Sequence, residues 1–342
     1  MRHSISRWTW TLVLCLLAFA STAAAERPPL RWRLESGDVF HVELRQQIKK
    51  ASELRTRVLQ SLGQNVWNDT HELLFVFKWE VTDTQEIRRE DGFYDTRSEL
   101  TQTLTRVVFK MNVGNNIIWQ QYDSEKPPAD KRDNFFANFG NGLFDIHKKC
   151  KEHLDRPLKF WLSQRGHLEY DKTAVDWIAA ESGDWFVKPE AVSHTAGDLR
   201  QTLLPEIPYD AETSQRQSPW EHHVKLTNLG QRLEQGKAIY TYTPLASRGH
   251  NVKIRLKGEL DNDAAQGKGN PLSPVVTIEG FQSTGEINFD TKRGNVTAAK
   301  LNQLVIQNSA GIREAYQKLV QVTIRREPAS ARNDHRGDSS RE

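Results

Sequence analysis

The stretch Leu73-Leu74-Phe75-Val76-Phe77-Lys78-Trp79-Glu80-Val81 decides the fold class. Leu73, Phe75, Phe77, Trp79 and Val81 take alternate positions, with Leu74, Val76 and Lys78 between them. Successive side chains of a strand point to opposite sides, so a period of two builds a pleated layer with one dry face. Upstream, Phe40, Val42 and Leu44 repeat the pattern after a turn at Ser36-Gly37-Asp38, and Leu30, Trp32 and Leu34 predict a further strand before it. Downstream, Glu99 to Met111 predicts a strand with Thr103, Thr105, Val107, Phe109 and Met111 on a common face. Val113-Gly114-Asn115-Asn116 is a turn signal, and strand character resumes at Ile117, Ile118 and Trp119.

The period changes in the middle of the chain. Phe135, Phe139, Leu143, Ile146, Cys150 and Leu154 recur at steps of three or four, the spacing of one helix face, with Gly140 and Gly142 favouring two short helices. Pro157 ends the pattern. Leu158–Leu162 and His167–Tyr170 predict a hairpin about Arg165-Gly166, and Thr173–Ala180 and Ala196–Leu204 predict short helices. Pro205, Pro208 and the polar stretch Asp210–Ser218 mark a domain boundary.

Alternation returns after Trp220. His222, Val224 and Leu226 share a face, as do Ile239 and Thr241, and Val252, Ile254, Leu256 and Leu260 mark another strand. Asp261–Pro274 has loop composition. Three long strands follow near Val275–Asp290, Asn295–Gln307 and Ile312–Arg326, and residues 327–342 form a tail too polar to pack. The expected architecture is mainly β (α+β): two curved antiparallel lobes, residues 26–209 and 210–326, with a few short helices in the middle. Gln164-Arg165-Gly166-His167-Leu168 and Lys292-Arg293-Gly294-Asn295-Val296 are an internal echo, each a basic-Gly turn beside a strand.

Gly37-Asp38-Val39-Phe40, Leu204-Pro205-Glu206 and Phe289-Asp290-Thr291-Lys292-Arg293-Gly294 together resemble the pattern of a group of secreted bacterial β-rich proteins of unknown function. The resemblance spans most of the chain after residue 25. It implies two curved antiparallel sheets with central helices, and it carries no activity and no site residues.

Arg2, His3 and Arg7 precede an uncharged run from Trp8 to Ala20, and Ala23 and Ala25 give a small-x-small site. This predicts a signal peptide over residues 1–25 and export to a periplasmic or extracellular space, with no membrane span after cleavage. Cleavage removes Arg2 and Arg7 and no acid, so the formal charge falls from +3 to +1. Such a balance argues against a nucleic-acid partner. Cys15 leaves with the signal and Cys150 remains alone, so no internal disulfide forms and packed cores must supply stability.

Candidate chemistry is sparse. His147, Cys150 and His153 lie three apart on the expected helix and fan over about 120°. Zinc accepts both ligand types, but Cys150 fits the apolar face as a core residue. Cys150 as a nucleophile lacks any local signature of a cysteine enzyme. Asp176, Glu181 and Asp184, interleaved with Trp177 and Trp185, supply the carboxylates a glycoside hydrolase would use, although acids near a helix end are ordinary. His222 and His223 are strand neighbours and would point apart. Trp32, Trp67, Trp79, Trp119, Trp161, Trp177, Trp185 and Trp220 fit either an aromatic-lined groove or sheet packing. Asn68-Asp69-Thr70 and Asn295-Val296-Thr297 match the glycosylation pattern, and Arg336-Gly337-Asp338 lies in the tail. No cofactor is expected. The leading expectation is a non-catalytic binding or envelope-associated protein that holds an apolar ligand or a partner protein on a concave sheet face. The alternatives are a secreted polysaccharide hydrolase using the 176–184 acids, and a subunit whose role is assembly.

Overall fold

The first strand begins where the Gly37 turn ends. Gly37 has φ +85°, a left-handed conformation that glycine adopts without a Cβ clash. The buried Asp38 carboxylate accepts the Glu35 N–H at 2.9 Å and Arg326 Nη2 at 2.7 Å, which ties the start of the first strand to the end of the last. This is the physical content of the Gly-Asp motif.

The computed structural model describes residues 30–52, 69–88, 94–113, 117–126, 151, 154–170, 203, 206–208, 218–226, 236–245, 249–261, 276–309 and 312–327. Twelve strands run through them: β1 (Val39–Ser52), β2 (Asp69–Arg88), β3 (Tyr94–Val113), β4 (Ile117–Asp123), β5 (Pro157–Ser163), β6 (Leu168–Tyr170), β7 (Trp220–Leu226), β8 (Gly236–Pro244), β9 (Asn251–Leu260), β10 (Val276–Asp290), β11 (Asn295–Ser309) and β12 (Ile312–Arg326). They form one sheet in the order β6-β5-β3-β2-β1-β12-β11-β10-β9-β8-β7, with β4 also paired to β3.

The mainly-β expectation holds, and the two-lobe expectation does not. β1 is hydrogen-bonded on both sides, antiparallel to β2 and to β12, so the first and last parts of the chain share one sheet and one core. The boundary at 209/210 lies outside the described residues. So do the helices expected at 173–180 and nearly all of those at 135–154 and 196–204. None of the strands is interrupted by a helix among the described residues, and Leu154, expected on a helix face, makes a parallel bridge to Leu104. No helix of the described residues is long and apolar enough to cross a membrane, which says nothing of crossing by strands.

Leu30, Trp32 and Leu34 are buried as the alternation predicts, but the segment is a strap rather than a strand. Trp32 N–H donates to the Gln164 carbonyl at 2.7 Å, and Arg33 N–H to the Gly294 carbonyl at 2.8 Å. Those carbonyls belong to the β5–β6 and β10–β11 turns, so both turns of the internal echo meet the strap. In a flat sheet β5 and β11 would lie roughly 24 Å apart, at about 4.8 Å per strand. Adjacent residues of an extended chain reach only on the order of 10 Å across both bonds. The sheet is therefore curled at this end. Among the described residues its outermost strands β6 and β7 exchange no ladder bonds, so the described sheet is open.

The face turned into the curl carries Val42, Leu44, Leu73, Phe75, Phe77 and Trp79, all buried. On β3 the expected common face is wrong in its first half. Val76 pairs with Arg106 and Phe77 with Leu104, so Thr105 is an extra residue in a bulge. The bulge shifts the phase: Leu100, Gln102 and Leu104 face inward before it and Val107 and Phe109 after it, leaving Thr105 exposed. On β8, Ile239 and Thr241 do share a face, but the buried face is Ala238, Tyr240 and Tyr242.

Candidate functional site

The inward face is best read as rows of directly opposed residues crossing the strands. Near the strap end a row is wholly apolar: Val107, Phe75, Leu44, Val322, Ala299, Ile287 and Ile254. Packing of such side chains stabilises by about 1.5–3 kcal/mol each. Two residues further along the strands the row is Tyr122, Phe109, Leu73, Gln46, Val320, Leu301, Gly285, Leu256, Tyr242 and Trp220. Trp220 stacks on Tyr242 at 5.3 Å between centroids, and burial holds the Tyr242 phenol well above its ordinary pKa.

The next row is polar. His71, Ile48, Lys318, Gln303, Ser283, Gly258, Tyr240 and His222 oppose one another in sequence across the sheet. Lys318 is only 5% exposed and is engaged within the protein. Gln303 Nε2 donates to the Tyr240 phenolic oxygen at 2.7 Å, reaching across the two intervening strands. It can do so because those strands carry Ser283 and Gly258 at that point. A Cβ on Gly258 would lie 2.6 Å from Tyr240 Cε1 and 2.9 Å from Ser283 Cβ, so only glycine lets the ring cross there.

Buried groups of this zone without a hydrogen-bond partner include both ends of the Gln46 amide, the Ser283 hydroxyl and Trp220 Nε1. Gln46 is 3% exposed and Ser283 1%. A buried polar group left unbonded costs about 1–3 kcal/mol, and proteins carry few of them. Their occurrence in adjacent rows of one wall marks it as the candidate site.

The opposite face also holds hollows. One of about 300 Å³ is lined by Arg45, Gln47, Leu74, Val108, Leu319 and Gln321, and another of about 430 Å³ by Gln282, Thr284, Asn302, Leu304 and Gln317. Both open to solvent; the first is lined mainly by apolar surface, with long polar chains around it, and reaches the strand positions of Gln46 and Leu73.

The open margin of the sheet carries a third cluster. His167 Nδ1 lies 3.1 Å from Glu206 Oε2. Arg165 Nε donates to the Ile207 carbonyl at 2.7 Å, and Ile207 N–H to the Arg165 carbonyl at 2.8 Å. The hydrogen bond to Glu206 raises the His167 pKa, and the same bond lowers that of Glu206. His222, on β7 at the far margin, is lowered chiefly by burial, and the field of Glu206 opposes that shift. Glu206 thus bonds a residue beside β6 and acts electrostatically on one of β7.

Other perturbed carboxylates brace strands. Glu99 is lowered first by its hydrogen bond from Thr82 and then by Lys159, and Asp123 first by that from Arg106. Among the described residues no three His, Cys, Asp or Glu side chains are placed to hold a metal ion.

The sequence-derived candidates fare unevenly. His147, Cys150 and His153 lie outside the described residues, as do Asp176, Glu181 and Asp184. His222 faces inward, half-buried, and His223 is exposed on the other side, as strand geometry requires. Trp32, Trp79 and Trp220 are buried in sheet packing. Asn295 is 2% exposed and its Nδ2 donates to the Val296 carbonyl at 2.8 Å, so it is no glycosylation acceptor in the folded chain. Gln46, Ser283, Gln303 and Lys318 escaped sequence reasoning, although each sits in phase with apolar neighbours on its strand.

No family model matches the sequence, and no curated protein matches it. Solved structures similar to this chain include one on lipid–protein interactions in lipovitellin. It shares 12% identity over 87% of this chain, with a TM-score of 0.42. The chain spans only 26% of that protein's length. Another, on asymmetric conductivity of engineered proteins, shares 8% identity over 84% of this chain and 100% of its own, with a TM-score of 0.15.

Proposed function

We propose that this is an exported, non-catalytic carrier that holds the apolar part of an amphiphilic small molecule against the inward face of the curled sheet. One observation carries the reading: within a single continuous wall, apolar rows give way to a row of polar side chains, and buried polar groups without a partner in the protein, Gln46, Trp220 and Ser283, lie in that row and the one beside it. Binding sites for small molecules combine these features, a largely apolar lining and a few placed polar groups that set orientation. A wall meant only for packing would not retain orphaned amides and hydroxyls, because replacing them with apolar groups is neutral or stabilising.

Reading the same wall as an enzyme requires a nucleophile or paired carboxylates facing the ligand. Among the described residues the wall presents amides, hydroxyls, indole, imidazole and lysine, and Glu314 on it is held by Lys50 at 3.1 Å and by the Tyr316 hydroxyl at 2.6 Å. The test is organic extraction of the protein purified from an exported fraction, followed by mass spectrometry, together with displacement of bound 1-anilinonaphthalene-8-sulfonate by monomyristoylglycerol. Co-purifying amphiphiles and saturable displacement are expected. A protein that extracts clean and whose dye signal monomyristoylglycerol leaves unchanged would sink the carrier reading.

A further inference from the structure

We infer that the solvent-side face of the sheet is a second binding surface, for a linear polysaccharide that carries carboxylates. It is independent of the carrier reading, because it uses the opposite side of the same strands. The surface centres on Leu319, which β12 turns away from its buried neighbours Lys318 and Val320. Leu319 lies directly between Gln47 of β1 and Asn302 of β11. Two residues along the strands in one direction stand Arg45, Gln321 and Lys300, and in the other Lys49, Gln317 and Leu304. These nine adjoining positions hold three cations, four carboxamides, two leucines and no acid.

The relief of this face joins them. A hollow of about 270 Å³ is lined by Gln47, Lys49, Lys300, Asn302, Gln317 and Leu319. It shares Gln47 and Leu319 with the hollow of about 300 Å³ that reaches Lys110 of β3. It shares Asn302 and Gln317 with the one of about 430 Å³ that reaches Gln282 of β10. The three make one trough across β3, β2, β1, β12, β11 and β10, roughly 24 Å at about 4.8 Å per strand. That shape suits a chain better than a compact molecule.

The chemistry selects among chains. Arg45 is paired with Glu43 at 3.0 Å, and Glu286, opposite Lys300, is held by Lys253 at 2.9 Å. Glu72, the acid in the lining, accepts Gln47 Nε2 at 3.2 Å and lies opposite Lys110. Lys49 and Lys300 form no ion pair among the described residues, so the trough favours negative charge on its occupant. Each carboxamide offers a donor and an acceptor side by side, which neighbouring hydroxyls of a sugar match. The leucines give apolar ground for the C–H face of a sugar ring. An acidic peptide binds a sheet through backbone bonds at an edge, and the main chain of β12 is already spent on β1 and β11. A single-stranded nucleic acid uses aromatic rings to stack its bases, and the nine positions hold none.

The experiment is titration calorimetry of the full chain with hexagalacturonate, neutral maltohexaose and hexaglutamate. It is repeated on Gln317→Val, on Lys300→Gln, and on Lys49→Gln combined with Lys300→Gln. Hexagalacturonate is expected to bind tightest and to weaken as salt is added. The double variant should weaken it about tenfold and Lys300→Gln alone about threefold. Gln317→Val should weaken it while leaving the salt dependence as it was. Displacement of 1-anilinonaphthalene-8-sulfonate by monomyristoylglycerol should be unchanged in every variant, so failure here and failure of the carrier reading are told apart. Hexaglutamate bound as tightly as hexagalacturonate would overturn the inference in favour of an acidic peptide, and maltohexaose bound as tightly would remove the role of charge. Absence of hexagalacturonate binding would overturn it outright. So would an unchanged affinity in Lys300→Gln, an exposed position, even where the double variant fails to fold.

Discussion

Tyr240 lies across β9 with its phenolic oxygen accepting a hydrogen bond from Gln303, and the room it uses exists because residue 258 has no side chain. The contact is with a ring that is fully buried, so it cannot swing into solvent to make way. Gly258→Ala must therefore displace the Tyr240 ring or shift β9, and overpacking of this kind costs about 1–3 kcal/mol. Urea unfolding should show that loss, with the same slope and a lower midpoint. Tyr240→Phe isolates the polar part: it leaves Gln303 without its acceptor and removes no packing of note, so a loss of about 1–3 kcal/mol is expected there too. A Gly258→Ala midpoint equal to wild type would mean that the ring is not held where the geometry puts it.

The strap is the element that sets the curl. Its two backbone bonds join turns that a flat sheet would hold far apart, and Trp32 seals the space beneath with an edge-on contact to Phe289 at 6.1 Å between centroids. Trp32→Ala is expected to cost about 3–5 kcal/mol and to open the β10–β11 turn to proteolysis. Resistance of that turn equal to wild type would show that the strap is an ornament. The strap also shows what was legible in the sequence. Alternation named Leu30, Trp32 and Leu34 as buried, and it marked the spans of β9 to β12 closely, because burial on one face is a local property of a pleated chain. Pairing is not local. Nothing in the period of Val39–Leu44 says that its neighbours are Phe75 and Val322, so one sheet was read as two lobes. The bulge at Thr105 defeats alternation for the same reason, since it exists only relative to the partner strand. The polar row is invisible to alternation, because Lys318, Gln303 and Ser283 lie on separate strands. Each is an exception on its own strand, and only the register turns them into a line.

At the scale of the molecule, the sheet has two margins without a strand partner among the described residues, and edges of that kind are liabilities that proteins cover. Here the cover is ionic: Glu206 bonds His167 beside β6 and acts on His222 of β7. The three groups respond to pH with different signs. His167 is raised first by its hydrogen bond to Glu206 and then by the fields of Glu206 and Glu169, against burial and Arg165. Its contribution is complete below the ordinary value of 6.5 and is lost as pH climbs through the raised pKa. Glu206 is lowered, first by the same bond and also by the fields of His167, Arg165 and His222, so its contribution holds above 4.5 and is lost as pH falls through the depressed value. His222 is lowered by burial and by the fields of His223 and His167, against Glu206, so the folded state is penalised as pH drops below 6.5. The margin is therefore best closed toward the upper end of the range between the Glu206 and His167 titrations, where His167 is still protonated and His222 is neutral. His167→Gln should destabilise most below pH 6.5, and the difference from wild type should shrink as pH rises above it. His222→Asn should flatten the acid side of the wild-type profile. Urea midpoints taken across this range for the two variants check both signs, and a His167→Gln penalty that stays constant with pH would show that the clasp holds by packing and not by charge.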